Sequence, residues 1–134
     1  MEYTTALYSI GLITFVLLFV EINFMYATQG FAFGWSSNRS GDAEFSPLAQ
    51  RISSAYNNQV ESAAYSVPVL ATAALTGLES SGAELATLIY VIGRAIYGPL
   101  YYLGVGNLRL VGFGMGSLSM IYILYALWVS GLIW

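Results

Sequence analysis

The sequence predicts an all-α membrane protein: one domain over residues 1–134, folded as a bundle of four transmembrane helices. Three observations carry that expectation. The chain holds four long apolar segments. Only 8% of its residues are charged, where a soluble domain carries about 25%. Lipid offers backbone groups no water partner, so each spanning segment must satisfy its own hydrogen bonds as a helix.

The first segment covers about residues 5–27. It lacks a basic amino-terminal region, and its apolar run is longer than that of a cleaved signal, so it reads as a retained helix. A break follows over residues 28–47, with Gly30, Gly34, Gly41 and a polar cluster. The second segment runs over about 48–75, and a short polar turn over 77–82 leads to the third, about 83–103. A turn with two glycines, over 104–107, precedes the fourth, about 108–132. Each meets the ~20 residues needed to cross the hydrocarbon core. Pro68 and Pro99 fall inside helices two and three and are expected to kink them, because each removes a backbone donor. Gly112 and Gly116 form a GxxxG pair on helix four, which permits close helix contact. A phosphate-binding reading of these glycines fails, because no strand precedes them.

Arginine placement sets an expected orientation. Arg39 and Arg51 lie in or beside the first loop, Arg109 at the third, and Arg94 on the half of helix three nearer that loop. The second loop has only Glu79 and Glu84. The Arg-rich side is therefore expected to be cytoplasmic, with both termini opposite. Trp35, Trp128 and Trp134 fall at expected interfaces, as aromatic belts do. Asn38-Arg39-Ser40 fits a glycosylation sequon, but three residues match too often by chance to carry a conclusion.

Composition also excludes chemistry. The chain has no cysteine, so no disulfide, thiolate nucleophile or Cys-type zinc site. It has no histidine, the usual neutral-pH proton shuttle and commonest metal ligand. No metal is expected. A net charge of −3 offers no basic patch for nucleic acid. Chemistry must come from Arg, Glu, Asn, Tyr and Ser.

Glu21, Glu61 and Arg94 lie inside apolar segments. A charge at bilayer depth costs about 2.5–3.5 kcal/mol on insertion scales, so such residues face the bundle interior or a wet cavity. On helix two, Arg51, Ser54, Asn58, Glu61 and Tyr65 recur at helical spacing and share one face. On helix three, Tyr90, Arg94, Tyr97 and Tyr101 do the same. A Glu61–Arg94 pair locking the bundle, with Asn58 and the tyrosines as interhelical hydrogen-bond glue, is the plain alternative. Such a pair does not require a polar stripe about 15 Å long. The stripes suggest a polar pocket opening towards the Arg-rich side, with Arg109 at its mouth. Arginines suit carboxylates, a glutamate suits an ammonium, asparagine suits an amide, and tyrosines offer hydroxyls and rings. A small zwitterionic peptide extended between helices matches that set.

These residues resemble a known family. Asn38-Arg39, then Arg51, then Asn58-Gln59-Val60-Glu61 is similar to the second-helix signature of the MAPEG family, the membrane-associated proteins of eicosanoid and glutathione metabolism. The run from Arg94 through Tyr97, Pro99, Tyr101 and Gly104 to Arg109 resembles its third helix and following turn, and is most like the bacterial branch. The resemblance covers roughly residues 30–116.

It implies a four-helix protomer in a homotrimer, in a bacterial inner membrane, with glutathione bound as co-substrate between protomers near the cytoplasmic side. It implies that Arg109 stabilises the glutathione thiolate, and that Arg51, Asn58, Glu61, Arg94, Tyr97 and Tyr101 line the site. A thiol near pKa 8.5 is mostly protonated at neutral pH, and a guanidinium beside it favours the thiolate. The thiolate then attacks a hydrophobic electrophile or reduces a lipid hydroperoxide delivered by the bilayer. In two places the pattern departs: Ser54 stands where the family usually has a second arginine, and Leu110 where the bacterial pattern usually has Thr. Ser54 motivates the competing reading, a non-catalytic structural or accessory subunit of a membrane complex. A channel is disfavoured, because the stripes lack a ring of like charge.

Overall fold

The structure is a computed structural model that describes residues 1–30 and 46–134, with the backbone alone for Gln29, Leu108 and Arg109. Trp35, Arg39 and the Asn38–Ser40 sequon lie outside the described residues.

Among the described residues four helices follow in order: α1 (Tyr3–Gln29), α2 (Pro47–Thr76), α3 (Ser81–Leu103) and α4 (Gly106–Ser130). Local chemistry fixes their ends. Ser46 caps α2 by accepting from the Ala49 N–H at 3.2 Å, and Pro47 supplies a preset φ in the first turn. Ser80 caps α3 in the same way through Ala83, again at 3.2 Å. Gly77 and Gly104 adopt φ of 68° and 72°, a left-handed conformation that favours glycine. Behind them, the Leu78 N–H donates to the Ala73 carbonyl at 3.0 Å and the Val105 N–H to the Leu100 carbonyl at 3.2 Å. Both closures reverse the chain within a few residues. Helices α2 and α3 continue through Pro68 and Pro99 without interruption.

The helices run alternately up and down. The amino-terminal ammonium reaches the Glu84 carbonyl at 3.3 Å, so the chain starts beside the α2–α3 turn. The end of α4 lies there too: Leu78, Glu79 and Ser80 share a surface cavity with Ala126, Val129 and Ser130. The opposite end gathers the start of α2, the end of α3 and the start of α4.

Helix α1 packs on α2, and α3 packs on α4. The core joins Ile10 of α1, Leu70 and Ala73 of α2, Tyr90 of α3, and Met120 and Ile123 of α4. The α3–α4 contact is a backbone approach. A Cβ on Gly93 would lie 3.1 Å from the Gly112 carbonyl oxygen and 3.2 Å from Met115 Cβ. Gly116, the second member of the GxxxG pair, faces the Tyr90 ring, which a Cβ there would meet at 3.6 Å. The pair thus serves packing. Leu17 of α1 presses against Gly98 of α3.

Among the described residues, two helices contain segments long and apolar enough to cross a membrane, Tyr3–Thr28 and Leu110–Ser130. They expose large apolar side chains along their outer faces, among them Tyr8, Phe15, Phe19, Leu118, Ile121 and Trp128. A soluble surface rarely tolerates a continuous patch of this kind. Helices α2 and α3 are long enough as well, but they carry the polar residues that form the site.

Candidate functional site

The site lies where the first half of α2 meets the second half of α3. On α2, the face turned into the bundle carries Ile52, Ala55, Gln59, Ser62, Ser66, Leu70 and Ala73. The stripe of Arg51, Ser54 and Asn58 lies beside this face and is half-buried, while Glu61 and Tyr65 are exposed. On α3, Tyr90, Arg94 and Tyr97 are buried and Tyr101 is half-buried. The two stripes therefore differ in kind: that of α3 points inward, and that of α2 runs along the rim of the helix pair.

Arg94 is the centre of the arrangement and is only 3% exposed. Its Nε donates to Gln59 Oε1 at 2.8 Å, and its Nη2 donates to Asn58 Oδ1 at 3.0 Å. Residues 58 and 59 point about 100° apart around a helix, so together they straddle the α2–α3 seam and grip the guanidinium from two sides. The Tyr97 ring supports it from below, with Arg94 Cζ 4.6 Å from the ring centroid. Tyr97 in turn meets Tyr101, their ring centroids 5.6 Å apart. Asn58, Arg94, Tyr97 and Tyr101 thus come together as one cluster.

The other expected site residues sit elsewhere. Glu61 does not bond to Arg94: it is exposed on α2, and the acceptors of Arg94 are neutral amides. The locking ion pair considered from the sequence is absent between these two residues. Arg51 Nε donates to the Tyr102 carbonyl at 3.1 Å, and its guanidinium lies beside Gly104. There it binds one of the last carbonyls of α3 and opposes the negative end of the helix dipole. Arg109 occupies the first turn of α4 by its backbone, and its side chain lies outside the described residues. Glu21 acts electrostatically on the buried Tyr102 hydroxyl, which puts helix α1 beside the end of α3.

Sequence reasoning passed over Gln59 and Thr14. Gln59 is 0% exposed and donates through Nε2 to Thr14 Oγ1 of α1 at 3.1 Å. The Thr14 hydroxyl donates onward to the Ile10 carbonyl at 2.7 Å. Gln59 stands inside the Asn58–Glu61 signature, but the polar-face pattern was drawn one residue to its side. The missed signal was the inward series 52, 55, 59, 62 and 66, whose polar members need buried partners. Ser62 finds one in the Tyr90 hydroxyl, at 2.5 Å.

Chemically, the cluster is a buried cation held by neutral acceptors at the edge of an open helix face. Such a cation suits an anionic ligand that can approach from that face. The sequence model of the MAPEG family matches residues 5–129. No curated protein and no solved structure matches the chain. A match over nearly the whole length, on an all-α four-helix fold, identifies the chain as a member of the MAPEG family, membrane-embedded bundles that include glutathione transferases and peroxidases.

Proposed function

We propose that this protein is a glutathione-dependent transferase or peroxidase acting on lipophilic electrophiles within a membrane. The observation that carries the reading is Arg94: a buried guanidinium with no carboxylate partner among the described residues, held at the α2–α3 rim by Asn58 and Gln59. Two of its five N–H donors are used in these bonds. The remainder suits a carboxylate of glutathione.

In this reading Asn58 holds the peptide, the exposed Glu61 takes its ammonium group, and Tyr97 and Tyr101 wall the site. Arg51 fixes the turn from which α4 starts and contributes charge there. Arg109 stabilises the thiolate, which forms a bond to the electrophile as its leaving group departs or reduces a lipid hydroperoxide. The face with Glu61 and Tyr65 lies open in one protomer, and a second protomer of a homotrimer covers it, so each site is shared. No metal takes part.

All four helices cross the bilayer in this proposal. They have 27, 30, 23 and 25 residues, or about 35–45 Å at 1.5 Å per residue, against ~30 Å of hydrocarbon. The polar faces of α2 and α3 are turned into the bundle or the protomer interface. The Arg-rich end is cytoplasmic, in a bacterial inner membrane.

The test is the ultraviolet thiolate band of glutathione added to purified protein, with turnover of a model electrophile. The reading expects a band at neutral pH, and Arg109→Ala should remove it while slowing turnover about 100-fold or more. Saturating glutathione with neither band nor turnover refutes it. One observation favours a second reading, a non-catalytic accessory subunit: Arg51 is engaged structurally at the end of α3, and Ser54 replaces the second arginine. In that case Arg109→Ala leaves the cellular phenotype intact, and the protein co-purifies with a larger membrane complex.

A further inference from the structure

Among the described residues, the near neighbours of Arg94 are uncharged side chains. The ionisable groups among them that act on it are Tyr90, Tyr65 and Tyr97, with no described carboxylate. From Arg94 to the end of α3 at Leu103 is nine residues, or ~14 Å of helix axis, so the charge sits well inside the bundle. A buried cation of this kind is tolerated only where its donors meet well-placed acceptors.

Gln59 supplies the better of these acceptors, and its orientation is determined by its partners. Guanidinium only donates, so Gln59 must turn its carbonyl oxygen to Arg94. Its NH₂ group then faces α1, where Thr14 must accept. The Thr14 hydroxyl can accept because its own proton is engaged by the Ile10 carbonyl. Each bond of the relay pairs a donor with an acceptor, and reversing the Gln59 amide would break two of them. The backbone of α1 thereby fixes the aim of a cation on α3.

We propose that Gln59 is the positioning residue for Arg94: anchored by Thr14, it aims the guanidinium while leaving its charge uncompensated for an incoming carboxylate. The identity of that carboxylate, glutathione, rests on the function proposed above; the charge balance of the Gln59–Arg94 pair does not. Glutamate at this position would keep the shape and the bond but neutralise the cation. The neutral amide holds the guanidinium in place and leaves its charge available to a ligand that supplies the negative charge.

The experiment compares Gln59→Glu with wild type in the purified full-length protein, alone and in an Arg94→Gln background. Without ligand, Gln59→Glu should raise the melting temperature by a few degrees, and should lower it when Arg94 is already glutamine. With glutathione, Gln59→Glu should raise Kd and KM roughly 10- to 100-fold, the worth of one charge-assisted bond, with a much smaller effect on kcat. Thr14→Val should raise KM severalfold, and Thr14→Ser should restore it. A melting temperature of Gln59→Glu at or below wild type overturns the inference, as does an unchanged KM in Gln59→Glu or Thr14→Val. If wild type takes up no glutathione, the proposed function falls, and the two ligand-free melting comparisons still decide this inference.

Discussion

Gly93 and Arg94 are neighbours on α3 and belong to two different kinds of helix interface. Towards α4, Gly93 brings backbone against backbone, and a Cβ there would crowd the Gly112 carbonyl oxygen at 3.1 Å. Towards α2, Arg94 fills the seam with a long charged side chain bonded to Asn58 and Gln59. The first interface gains by closeness and dispersion, which drive helix association where no hydrophobic effect operates between helices in lipid. The second gives up close packing to hold a charge. In the function proposed here the α3–α4 pair acts as the rigid support, and the α2–α3 seam offers the ligand its contacts. One helix performs both tasks because residues 100° apart face different neighbours.

The contrast can be broken from either side. The largest effect is expected at the close contact. Gly93→Leu must force α3 and α4 apart, at a cost of at least the 1–3 kcal/mol typical of overpacking, and should lower the melting temperature and the yield of folded protein together. Arg94→Gln should act oppositely on the two properties. It should weaken glutathione binding about 10- to 100-fold without lowering the melting temperature, because it removes a buried charge with no counter-ion among the described residues. Isothermal titration and a melting scan on the same preparation check both. If Arg94→Gln destabilises the protein as much as Gly93→Leu, the seam is structural and the distinction fails. The smallest effect belongs to Arg51→Ala. Loss of its bond to the Tyr102 carbonyl and of its charge at the end of α3 should cost about 0.5–1 kcal/mol, seen as a modest fall in melting temperature.

Much of the fold was legible in the sequence, for reasons visible at particular residues. Apolar runs interrupted by Gly77 and Gly104 mark reversals, because those glycines take a left-handed backbone conformation. The GxxxG pair at Gly112 and Gly116 announced a close helix contact, though not that Gly93 would be its partner. Among the described residues, apolar composition alone singles out α1 and α4 as candidate membrane spans, since α2 and α3 spread their hydrophobicity around polar faces. The site was less legible. Periodicity grouped Arg51, Asn58 and Glu61 on one face of α2, but it could not tell a rim from an interior face one residue away. Gln59, quoted only within the family signature, was therefore given no role, and in place of the Glu61 pair weighed as the plain alternative Arg94 has amide partners. Arg51, expected in the ligand site, also meets the end of α3, a contact that depends on how the α3–α4 turn folds back. Charge pattern shows that a polar site exists; packing decides which side chains meet.

The central claim is that the open edge of the α2–α3 seam is half of a glutathione site completed by a second protomer. A structure of the protein in lipid with glutathione tests it most directly. The account predicts a trimer with ligand density between protomers, a carboxylate on Arg94 and the peptide beside Asn58 and Glu61. A seam that stays empty at saturating glutathione, or one packed against lipid with no neighbouring protomer, would contradict it.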